Sequence, residues 1–154
     1  MKKQILTTLI VSLAIISAQL PAMAKAAGIL NVKHIELSQK GGVAPGLQNV
    51  ASIMSRCLPY KGCRLIEQQS CVFPANAALS FKDGYKLIFR TLDDGKTAVT
   101  ILRGKKQLMS MSVILEGTDP VVIGGFTSGF SNSRRIFVLR KSLPAESCPE
   151  ISED

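Results

Sequence analysis

From Gly62 onward, runs of β-branched and apolar residues are cut by turn-forming residues about every ten positions, and no other feature narrows the fold as much. Lys82-Asp83-Gly84, Asp93-Asp94-Gly95 and Gly104-Lys105-Lys106 each supply residues that accept tight or left-handed backbone between two such runs. Strands are predicted over residues 29–37, 63–73, 77–81, 85–92, 97–103, 108–115, 121–126 and 135–143. Within 63–73 the alternation slips, so a bulge or break is expected near Glu67 to Ser70. About eight short strands joined in this way predict an all-β, mainly antiparallel chain, closed as a sandwich or a flattened barrel.

One stretch keeps a different period. Leu47, Val50, Ile53, Met54 and Cys57 recur at three- and four-residue steps between Pro45-Gly46 and Pro59, which predicts one short helix of about ten residues after the first strand. Its apolar stripe needs cover from one end or face of a sheet.

The N-terminus reads as a secretory signal peptide over residues 1–24. Lys2 and Lys3 form a positive start, residues 5–16 are almost continuously apolar, and Ala22-Met23-Ala24 offers small residues for cleavage. The apolar run is shorter than the roughly 20 residues that span a bilayer, so cleavage after Ala24, or after Ala26, is expected over a retained anchor. The expected location is the bacterial periplasm or the medium, with a single β-rich domain over 25–145 and an acidic tail over 146–154.

Charge is unevenly placed along that product. Residues 25–145 carry 17 Lys and Arg against seven Asp and Glu, a net +10, whereas Glu146, Glu150, Glu153 and Asp154 crowd the tail. A basic body favours anionic partners, such as lipid or glycan surfaces or an acidic protein. Cationic side chains also keep exposed strand edges apart, so a plain solvated face is the competing reading. Nucleic acid is not expected, because Trp is absent, aromatics are few and the chain is exported.

Four cysteines, Cys57, Cys63, Cys71 and Cys148, in an exported chain of this size predict two disulfides. Spacing leaves three pairings open. Joining Cys57 to Cys63 and Cys71 to Cys148 is the expected one, the second bond tying the tail to the body. There is no Cys-x-x-Cys and one histidine, so neither a zinc site nor a thioredoxin-like centre is expected.

Residues that carry acid-base chemistry are scarce. His34 is out of phase with Ile35 and Leu37 and is expected at an exposed strand position. No Gly-x-Ser-x-Gly elbow is present to pair with it. Asp93-Asp94 is explained by turn chemistry. Met109 and Met111 could ligate copper(I), but they share phase with Val113 and Leu115 and are expected to pack in the core.

Residues 123–135 hold two Gly-Phe pairs and an Arg pair, making Phe126, Phe130, Arg134 and Arg135 the candidate binding residues. They suit docking onto a lipid surface or a partner's groove, unless the Phe rings fold back over the core end. No catalytic residue, cofactor or metal is nominated. The expected function is a non-catalytic binding or assembly component of the bacterial envelope, accessory to a secretion, pilus or other surface machine, with an envelope protein as partner. Alternatives are a binder of anionic lipid or glycan, a small exported hydrolase using His34, or an enzyme inhibitor presenting the loop 58–62.

Overall fold

The computed structural model describes residues 28–56, 59–127 and 132–142. Eight strands and one helix follow in the order β1 (Gly28–Ser38), α1 (Gln48–Ser55), β2 (Gly62–Phe73), β3 (Asn76–Ser80), β4 (Tyr85–Thr91), β5 (Thr97–Arg103), β6 (Lys106–Val113), β7 (Val121–Thr127) and β8 (Arg134–Ser142). They form two four-stranded antiparallel sheets ordered β2-β1-β8-β7 and β3-β4-β5-β6, so the architecture is a sandwich.

The second sheet is a simple meander, as the turn residues dictate. Gly84 and Gly95 take φ of +77° and +82° in the β3–β4 and β4–β5 turns, where the chain reverses without a Cβ penalty. The first sheet is assembled from both ends of the chain instead. β1 and β8 pair in its centre, from Ile29↔Ser142 to Leu37↔Arg134, and the expected bulge in β2 falls at Ile66, where register passes from His34↔Glu67 to Ile35↔Leu65.

That first sheet is covered by the meander on one face and by the helix over part of the other. Leu30 and Val32 of β1 and Phe137 and Leu139 of β8 face the meander, meeting Tyr85, Leu87, Phe89, Val99 and Ile101 in the main core. Tyr85, Phe89 and Phe137 are each at most 1% exposed, and burying such a ring contributes about 2–3 kcal/mol. The alternate residues Ile35, Leu37, Ile136 and Val138 form a second cluster under Leu47, Val50 and Met54 of the helix. Ile53, also in the predicted stripe, stays exposed.

Double coverage corrects the expectation for His34. Being out of phase with Ile35 and Leu37 turns it into the main core, not to solvent, and it is 0% exposed. The methionine stripe also needs correction. Val113 and Leu115 are buried and Met109 packs against the core, but Met111 is 39% exposed because β6 is a sheet edge.

Among the described residues the cysteines are unpaired. Cys63 is a buried thiol in the helix-covered cluster, and Cys71 is a half-buried thiol against the main core. Both lie on β2, eight residues apart, a strand length of roughly 25 Å that no disulfide bridges. The expected partners Cys57 and Cys148 lie outside the described residues, as do the expected signal peptide over 1–24, Phe130 and the acidic residues of 146–154. No helix among the described residues is long and apolar enough to cross a membrane.

Candidate binding pocket at one end of the sandwich

The β3–β4 turn, the start of β4, the end of β5 and the β7–β8 ends converge at one end of the sandwich. Polar groups concentrate there. Arg135, with a side chain 12% exposed, bridges Glu36 at 3.0 Å and Asp83 at 3.1 Å, and so ties β8 to β1 and to the β3–β4 turn. Arg64 adds a second cation to Glu36. Burial works to raise the Glu36 pKa, but hydrogen bonds from Arg64 and Ser133 and the charge of Arg135 hold it below its usual value.

Beneath this network His34 occupies an aromatic box. Its ring stacks on Phe137 at 4.6 Å and meets Phe81 and Tyr85 edge-on at 5.5 and 5.3 Å. Neither ring nitrogen has a hydrogen-bond partner. Burial lowers its pKa to about 4; nearby Asp83, Glu67 and Glu36 oppose the shift and Arg135 adds to it. No serine or carboxylate hydrogen-bonds to the ring. Burial likewise raises the Cys63 and Cys71 thiol pKa values, away from nucleophilic thiolates. Among the described residues no three His, Cys, Asp or Glu side chains gather as a metal site.

Beside the box lies a cavity of about 250 Å³ walled by Tyr85, Leu108 and Phe126 and flanked by Arg103 and Arg134. Its geometry originates in β7. Gly125 is an extra residue between the pairs Gly124↔Ile136 and Phe126↔Arg135, so its carbonyl falls out of the ladder. Arg134 donates from Nη1 to that carbonyl at 3.3 Å and from Nε to the Tyr60 hydroxyl at 3.2 Å. Arg103 donates to the Thr127 carbonyl at 3.4 Å, with its guanidinium 5.3 Å over the Tyr85 ring. Both arginines are thus held by neutral partners. Tyr85 is 1% exposed, its hydroxyl has no partner, and burial raises its pKa.

The structure therefore splits the residues nominated from sequence. Phe126 is half-buried, 6.1 Å from Tyr85 and 6.5 Å from Phe137, and folds over the core end. It joins Arg134 at the cavity, whereas Arg135 is committed to its two carboxylates. Arg103 and Tyr85 were not nominated. They face each other across the β4–β5 hairpin, and counting register outward from Asp93-Asp94-Gly95 pairs them.

A larger groove of about 580 Å³ runs between α1 and the uncovered half of the first sheet, with Lys33, Arg140 and Lys141 among its lining. Lys141 lies over the Phe73 ring at 4.8 Å, and Arg140 donates to the Thr118 carbonyl at 3.1 Å. Comparison of the chain with protein families, characterised proteins and solved structures finds no match.

Proposed function

We propose that this protein is an exported, non-catalytic binding or assembly component of the bacterial envelope, accessory to a surface or secretion machine, and that its partner is anionic. One observation carries the reading. Residues 28–142 hold 16 Lys and Arg, of which Arg64, Lys96 and Arg135 form ion pairs, leaving 13 without a carboxylate partner among the described residues. Uncompensated cations on a rigid scaffold raise the local concentration of anionic partners and speed their capture.

Export follows from the segment before residue 25, and with it the oxidised pairs Cys57–Cys63 and Cys71–Cys148. Cell fractionation with mass analysis tests both. The expected outcome is a periplasmic or secreted product cut after Ala24 or Ala26 and lacking four alkylatable thiols. A cytosolic product with every cysteine reduced would overturn the reading.

Direct attachment to anionic lipid or glycan is the second reading. It is favoured by the spread of cations over both sheets, with Lys33 and Arg140 beside the helix and Lys86 and Arg90 on the outer face of the meander. Purified protein bound to phosphatidylglycerol vesicles should release as salt rises to about 0.5 M, where screening lengths fall below 5 Å. Capture of one envelope protein, with no vesicle binding, selects the assembly role.

A further inference from the structure

We infer that the cavity between Arg103 and Arg134 is a recognition site for a carboxylate carried on an apolar group, such as the free C-terminus of a polypeptide ending in an aromatic residue or a small aromatic acid. The inference deepens the reading of the protein as a binder of anionic partners and assigns one site to it. Both guanidiniums are anchored on backbone carbonyls two residues apart on β7, Gly125 and Thr127, an interval of about 7 Å along a strand. Each donates there to a neutral oxygen, so each keeps its charge uncompensated and further N–H groups to offer.

The walls select what accompanies the charge. Phe126, Leu108 and the Tyr85 ring are apolar, and about 250 Å³ admits one side chain with its carboxylate. Tyr85 supplies the second independent sign of a ligand. It lines the cavity, is 1% exposed, and its hydroxyl has no hydrogen-bond partner, so the proton lacks an acceptor. A carboxylate oxygen is the kind of acceptor that proton lacks, and guanidinium forks match the other lone pairs. Phosphate matches the charge but not the apolar walls.

The test is calorimetric titration of the purified full-length product with N-acetyl-phenylalanine, its neutral amide, inorganic phosphate and a tetrapeptide ending in phenylalanine. The acid is expected to bind at least about tenfold more tightly than the amide or phosphate. Tighter binding of the tetrapeptide identifies a polypeptide C-terminus as the source; binding of the free acid alone identifies a small aromatic acid. Arg103→Gln and Arg134→Gln should each weaken binding about tenfold or more, and Arg103 is exposed, so its replacement leaves the fold intact. Tyr85→Phe should weaken binding while leaving the unfolding midpoint unchanged or higher, since it removes an unpartnered hydroxyl.

Equal binding of acid and amide, phosphate binding as tightly as the acid, or indifference to Arg103→Gln would overturn the assignment. If such a result came with salt-sensitive envelope attachment, the pocket assignment alone would fall and the broader reading would stand. Loss of that attachment with retained acid binding would do the reverse.

Discussion

At the scale of single residues, His34 makes the fold pH-sensitive. Its folded pKa of about 4 lies below the unfolded value near 6.5, because the box excludes water from the ring. Above pH 6.5 both states are neutral there and the full stability is present. As pH falls from 6.5 toward 4 the unfolded chain takes up a proton that the folded one refuses, so stability drops by about 3 kcal/mol and then levels. Urea midpoints at pH 7.5 and 4.5 measure this. The wild type should lose stability between them, and His34→Leu should lose about 2.5 kcal/mol less. Equal losses in the two proteins would exclude His34 as the source. The same residue marks where sequence reading fails. Alternation gives phase relative to a neighbour, but only tertiary packing says which phase meets water, and here both do not.

Elements were more legible than sites. Turn chemistry at Asp83-Gly84 and Asp94-Gly95 locates the meander hairpins, and the slip in β2 alternation locates its bulge within a residue of Glu67. The helix is shorter than its stripe suggested, Gln48–Ser55. Hidden from sequence was the bulge in β7, because Gly124-Gly125 reads equally well as a flexible loop. Gly124 sits at φ +137°, and a Cβ there would lie 2.7 Å from the Arg135 carbonyl oxygen and 2.9 Å from the Ile136 Cα. Those are backbone atoms of the paired strand and cannot yield cheaply. Gly124→Ala should therefore cost about 2 kcal/mol or more and displace the carbonyl that holds Arg134, whereas Gly117→Ala, in open space at φ +68°, should cost about 1 kcal/mol. Denaturant unfolding of the two variants checks the difference; equal costs would show that the β7 bulge is not constrained by β8.

For the whole molecule, β8 is the decisive strand. It pairs with both β1 and β7, and its alternate residues enter both clusters, Phe137 and Leu139 on one side and Ile136 and Val138 on the other. A chain ending at Asn132 should remain unfolded by circular dichroism, while one ending at Ser142 should show the β-sheet spectrum of the full product. A folded sheet signal from the shorter chain would mean that the meander is stable alone. This dependence was invisible in the sequence, since local pattern gives strands and turns but not which distant strands meet.

The central β1–β8 pair also sets a timetable for the polypeptide. Some hundred residues separate partners such as Ile29 and Ser142, so a chain made from its N-terminus can pair β1 with β2 early, but the other flank of β1 stays unpaired until the final strand emerges. Until that moment the open flank of β1 is available to any chaperone that binds extended apolar segments, and the sandwich cannot close.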